Sequence, residues 1–144
     1  MVLSFLLAIP SPPQTPLASA RFPARDAGRA AVVADLIARP AGIDGQAFAD
    51  ALVGREGLSS WNGTGSAMPA GEGFEAIAVY GGDGRRVLVL YRPGLAARRG
   101  AACRVRIAAT ATPMAWNAAH AWCVQRLSQQ GRAAGQRRAA REGG

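Results

Sequence analysis

Two β-rich runs joined by a glycine-rich turn constrain this chain more than any other feature of its sequence. The runs cover residues 74–80 and 85–92, and Gly81-Gly82-Asp83-Gly84 lies between them. Glycine adopts the positive φ angles of tight hairpin turns, and aromatic and β-branched residues favour strands. The sequence therefore predicts an antiparallel hairpin. Its predicted pairs are Ala78 with Val87, Ala76 with Val89, and Phe74 with Tyr91.

Both faces of this hairpin carry apolar side chains, which is typical of central strands covered by a helix on at least one side. A third strand is predicted at residues 103–107, where apolar residues alternate with Arg104 and Arg106. That alternation predicts one buried face and one wet, cationic face.

Helices are predicted on both sides of these strands along the chain. Residues 26–38 have apolar residues at helical spacing behind the possible cap Asp26, and a short helix follows from Asp44 to Gly54. Pro113 suits the first turn of a C-terminal helix that ends near Gln129. Its predicted inner face comprises Trp116, Ala119, His120, Cys123, Val124 and Leu127, and that of the short helix comprises Phe48, Ala51 and Leu52.

The predicted fold is therefore α+β. A small antiparallel three-stranded sheet, formed by the hairpin and a third strand, is packed by a C-terminal helix and two short N-terminal helices. A chain of 144 residues is typical of one domain, which we place at residues 21–129. The arginine-rich residues 130–144 are predicted to be a disordered basic tail.

Residues 1–20 have the pattern of a signal peptide. An apolar run at residues 2–9 precedes several prolines, and Ala18 and Ala20 are the small residues that a signal peptidase reads, with cleavage before Arg21. No positive residue precedes the apolar run, so the alternative is a disordered leader on a cytoplasmic protein. The run is too short to span a bilayer as a helix.

The chain contains two cysteines, Cys103 and Cys123, at a spacing that fits no metal or redox motif. In an exported protein, the expected outcome is a disulfide between them. In a reducing compartment the alternative is two buried free thiols.

Charge is distributed unevenly along the chain. Residues 1–83 contain five arginines and eight acidic residues, whereas residues 84–144 contain twelve arginines and one acidic residue. This asymmetry predicts contact with an anion, although an arginine-rich, GC-rich genome would also produce a merely solvated cationic face. The candidate anion-binding or partner-binding residues are Arg86, Arg92, Arg98, Arg99, Arg104 and Arg106.

No catalytic constellation is predicted. The one histidine, His120, lies on the packing face of the predicted C-terminal helix, one turn from Cys123, and a catalytic pair would require a free thiol there. We assign no catalytic residue, no metal site and no cofactor.

These features predict a small, non-catalytic binding module in the periplasm or outside the cell. Its expected partner is an anionic envelope component or an acidic protein, contacted through the arginine face. The alternative is a cytoplasmic nucleic-acid-binding protein that uses the same arginines. The pattern does not indicate an oligomeric state.

Overall fold

The fold is an α+β arrangement in which two helices pack on opposite faces of one six-stranded antiparallel sheet. A computed structural model describes residues 15–22, 31–58, 68–94 and 97–142. The strands lie in the order β1-β2-β6-β5-β4-β3 across the sheet. The elements are β1 (Ala18–Phe22), β2 (Val32–Arg39), α1 (Gly45–Gly54), β3 (Met68–Gly71), β4 (Phe74–Tyr80), β5 (Arg86–Tyr91), β6 (Gly100–Ile107) and α2 (Pro113–Glu142).

The predicted α+β class is confirmed, but the sheet has six strands rather than three. The helix predicted over residues 26–38 is wrong where the structure describes it, because Val32–Arg39 is strand β2. Both faces of β2 are buried, so its apolar residues occur at helical as well as strand spacing. The predicted cap Asp26 and most of the leader lie outside the described residues.

Strand β1 coincides with the predicted signal-cleavage motif. Ala18 pairs with Leu36 of β2, and Ala20 pairs with Ala34. Leu17 extends this pairing, since its backbone N–H donates to the carbonyl of Leu36 at 2.7 Å. The predicted cleavage motif therefore lies within an edge strand of the folded sheet.

The hairpin is confirmed, but its predicted register is wrong by one residue. Val79 pairs with Val87, and Tyr80 pairs with Arg86, so the loop contains five residues rather than four. Asp83 explains the difference: its carboxylate accepts hydrogen bonds from the backbone N–H and Nε of Arg85. Arg85 is thereby held in the turn instead of starting the strand.

The sheet separates two apolar cores. Helix α2 packs mainly over β1, β2 and β6, and Cys103, Val105 and Ile107 face it as predicted. The core on this side also includes residues of β4 and β5. Helix α1 covers the opposite face, mainly over β4 and β5. The prediction of a central hairpin covered by helix is therefore confirmed.

Cys103 of β6 and Cys123 of α2 form a disulfide, with their Cα atoms 5.7 Å apart. Both cysteines are fully buried. The helix buries Ala115, Ala119 and Leu127 along the same stripe, while Trp116 and His120 are half-buried. Helix α2 continues to Glu142, through the segment predicted as a tail, since alanine, glutamine and arginine favour helix.

Helix α1 begins as predicted. Asp44 is its N-cap, and its carboxylate accepts from the backbone N–H groups of Gln46 and Ala47. Phe48 and Leu52 are buried as predicted, but Ala51 is exposed. The remaining inward residues, Ala49 and Val53, fall on the stripe that the sheet actually contacts.

The start of α1 approaches the end of β5 so closely that only glycine fits. The Gly45 N–H donates to the carbonyl of Gly94 at 3.0 Å. A Cβ at Gly45 would overlap the carbonyl oxygen of Arg92 and lie 3.3 Å from Cδ2 of Tyr91. The missing side chain thus determines how α1 docks on the sheet.

We expect Gly45→Ala to lower the free energy of unfolding by about 1–3 kcal/mol, because α1 must move away from β5. Urea denaturation measures the loss. Gly54→Ala is the matched control at the other end of α1, where no heavy atom lies within 4 Å of an added Cβ. The control should gain up to about 1 kcal/mol from helix propensity. If Gly45→Ala also raised the free energy of unfolding, the close packing of α1 against the segment after β5 would be contradicted.

Candidate anion-binding groove

The six predicted arginines do not lie on one face. Arg86 begins β5, whereas Arg92 follows its last residue, and the guanidinium of Arg92 lies 4.5 Å from the ring centroid of Phe74. Arg98 and Arg99 are exposed in the segment before β6. Arg104 and Arg106 point to the α1 side of β6, opposite the disulfide.

Arg104 is not part of a wet cationic face, because its side chain is only 14% exposed. Its Nη2 donates to Asp35 Oδ2 of the neighbouring strand at 2.9 Å. The other oxygen of Asp35 accepts from Ser19 Oγ at 2.6 Å. The prediction of a cationic wet side therefore fails at this position, since a buried carboxylate from the N-terminal half meets the guanidinium.

An open groove of about 260 Å³ lies beside this pair, on the part of the sheet that α1 leaves uncovered. Its floor is a row across three strands, in which Arg106 of β6 lies between Val33 of β2 and Val87 of β5. The groove therefore combines apolar and cationic walls. It is lined by Ala31, Val33, Glu56, Leu58, Arg85, Arg86, Val87, Arg106, Ile107 and Ala108.

Glu56, just after α1, holds the central guanidinium of the groove. Arg106 donates from Nε to Oε1 of Glu56 at 2.5 Å and from Nη2 to Oε2 at 3.1 Å. These hydrogen bonds raise the pKa of the Arg106 guanidinium. The Arg106 side chain is 49% exposed, whereas that of Glu56 is 11% exposed, so the cation is open to the groove and the carboxylate is largely enclosed.

Arg85 and Arg86 line the groove at its end nearest the hairpin turn. Arg85 pairs with Asp83 at 2.5 Å, and the hydrogen bond from the Arg85 backbone N–H lowers the pKa of Asp83. Both members of that pair are exposed, which makes it weak in water. Three arginines and one glutamate are among the lining residues, and Asp83 pairs with one of those arginines, so the formal local charge is positive and favours an anion.

Of the six predicted arginines, the structure brings only Arg86 and Arg106 into this groove. Arg85 and Glu56 were missed. Arg85 was predicted to begin the second hairpin strand, and nothing in that strand pattern linked it to the third strand. Glu56 is 50 residues from Arg106 in sequence, and no local pattern links them.

Two further buried polar side chains, Tyr91 and Arg39, have hydrogen-bond partners within the fold. Tyr91 donates its hydroxyl to Glu75 at 3.0 Å, and burial together with that carboxylate raises the pKa of Tyr91. The buried guanidinium of Arg39 donates to three backbone carbonyls, those of Pro40, Ile43 and Arg98. These contacts connect loops and are not arranged around an open space.

The Cys123–His120 catalytic hypothesis is ruled out, because the sulfur of Cys123 is bonded to Cys103. His120 instead stacks at a tilt on Trp116, with ring centroids 5.6 Å apart. Within the described residues, no three histidine, cysteine or acidic side chains are grouped closely enough to hold a metal ion. No helix in that part of the chain has the length and apolar content to cross a bilayer.

No protein-family model, curated protein or solved structure matches this chain.

Proposed function

We propose that this protein is a small exported, non-catalytic binding module that holds an acidic group of a partner protein in its groove. The observation that carries the proposal is the row in which Arg106 lies between Val33 and Val87, with Arg85 and Arg86 at one end. Guanidinium groups bind carboxylates through planar, paired donors, and the flanking valines offer apolar contact. An acidic segment with apolar residues matches both properties.

The shape of the groove favours a protein partner over an anionic envelope surface. Electrostatic binding to an anionic envelope surface requires many cationic side chains on one face of the protein. Three of the six predicted arginines, Arg92, Arg98 and Arg99, do not line the groove. A concave site with an apolar floor suits individual side chains. The proposed site is smaller than the predicted six-arginine face and includes Arg86 and Arg106 of those six.

The disulfide supports export, because such bonds persist in oxidising compartments and are rare in the cytosol. It disfavours the alternative of a cytoplasmic nucleic-acid-binding protein. Cleavage before Arg21 would remove Ala18–Ala20 from strand β1 and leave only Arg21 and Phe22 paired with β2. Export with the leader retained would instead keep the whole of β1.

We expect a peptide of alternating glutamate and leucine to bind the full chain, with an affinity that falls as salt is raised. Exchanging Arg85 and Arg86 for glutamine should weaken binding about tenfold, as two nearby cations are lost. Isothermal titration calorimetry measures both affinities. The control, Arg99→Gln with Arg126→Gln, removes the same charge outside the groove and should have a smaller effect. Equal losses in the two double variants would show unspecific attraction and overturn the proposal.

A further inference from the structure

The groove already contains one carboxylate. Glu56 meets Arg106 through two parallel hydrogen bonds, which is how a guanidinium binds a carboxylate ligand. Strands β2 and β5 flank that contact with Val33 and Val87. The fold thus places the Glu56 carboxylate against the guanidinium of Arg106, in a groove that also has apolar walls.

We infer that Glu56 is an internal competitor: it occupies the position of the ligand, which is a carboxylate attached to a short apolar group. This inference rests on the proposed binding function and names the ligand chemistry of the same groove. Binding moves the Glu56 side chain off Arg106, and the incoming carboxylate takes over the two hydrogen bonds. No covalent bond changes.

The surroundings of Glu56 are consistent with such an exchange. Glu56 lies two residues after the end of α1, and Gly57 after it has a φ of 68°, a conformation that glycine adopts without strain. The Arg106 guanidinium is half-exposed, so a ligand can reach it from the groove. A volume of about 260 Å³ lies just below the roughly 300–1,000 Å³ of small-molecule pockets, which suits one head group with a short apolar chain.

The ligand carboxylate has two possible sources, a free small acid or the carboxyl group of a peptide. Both present the same planar acceptor and differ only in the attached group. Hexanoate represents the first source. A tripeptide ending in leucine with a free carboxyl group represents the second, and its C-terminal amide is the uncharged control.

The test compares the wild-type chain with Glu56→Gln, which keeps the shape of the side chain and removes its charge. We expect Glu56→Gln to bind hexanoate or the free-carboxyl peptide about tenfold more tightly than wild type, because the competing charge is gone. Titration followed by amide and arginine Nε NMR signals gives the affinities and locates binding at Arg106. The control Glu72→Gln alters a carboxylate outside the groove lining and should leave affinity unchanged.

Three results would overturn this inference. They are equal affinities in wild type and Glu56→Gln, tightening that is just as large for the amide, or shifts that spare the Arg106 Nε signal. If acidic peptides bind wild type and Glu56→Gln equally, the proposed function stands and only the competitor role fails. If neither chain binds any anionic probe, the proposed function fails as well. Urea denaturation of both chains confirms that the affinities compare folded proteins.

Discussion

Replacing Asp35 with alanine is expected to lower the free energy of unfolding by about 3–5 kcal/mol, because it leaves the guanidinium of Arg104 buried without its carboxylate. The Asp35 side chain is 8% exposed, and it is the ion-pair partner of Arg104. Nε of Arg104 is also buried, with no hydrogen-bond acceptor among the described residues. Urea denaturation monitored by circular dichroism measures the change.

The double variant Asp35→Leu with Arg104→Met separates charge burial from packing. Apolar residues of similar volume remove both charges, so most of the lost stability should return. Asp50→Ala is the control, since it makes the same exchange at an exposed position of α1. A single variant as stable as this control would show that the Asp35–Arg104 pair is solvated in the native protein.

Loss of the disulfide should lower the free energy of unfolding by about 3 kcal/mol, the chain-entropy value for a loop of this size. The bond joins residues 20 positions apart and attaches α2 to the centre of the sheet. The side chains that α2 itself buries in this core are mostly small, namely Ala115, Ala119 and Cys123, with Leu127 as the large one among the described residues. Urea denaturation with and without reductant measures the effect.

The variant Cys103→Ala with Cys123→Ala serves as the control for reductant. It should unfold at the urea concentration of the reduced wild type, and reductant should not change its midpoint. Intact mass of the protein from its native cells, with and without reductant, reports the bond and any leader removal in one measurement. A wild-type midpoint that is insensitive to reductant would contradict the stabilising role of the bond.

The groove and the disulfide depend on the same strand. Successive side chains of β6 point to opposite faces, so Cys103 and Val105 face α2 while Arg104 and Arg106 face the α1 side. Lost pairing between β6 and its neighbours would therefore disturb both features. We expect Glu56→Gln, in contrast, to alter binding while leaving the α2 core unchanged.

Local patterns in the sequence were sufficient for several elements. The hairpin, the third strand, the N-cap Asp44 and the Cys103–Cys123 pair all follow from turn glycines, strand alternation, capping chemistry and cysteine count. Each of the first three depends on residues close in sequence, and the disulfide joins the only two cysteines of the chain. These physical preferences act before distant segments meet, and a single sequence is enough to recognise them.

Tertiary structure alone decided the strand identity of Val32–Arg39, because a segment buried on both faces loses the period that separates strand from helix. Tertiary structure also decided which arginines form ion pairs. Asp35 and Glu56 come from the acidic N-terminal half, and sheet pairing and the end of α1 bring them to Arg104 and Arg106. Charge counts along the chain could not show this, since an ion pair is determined by distance in space rather than by separation in sequence.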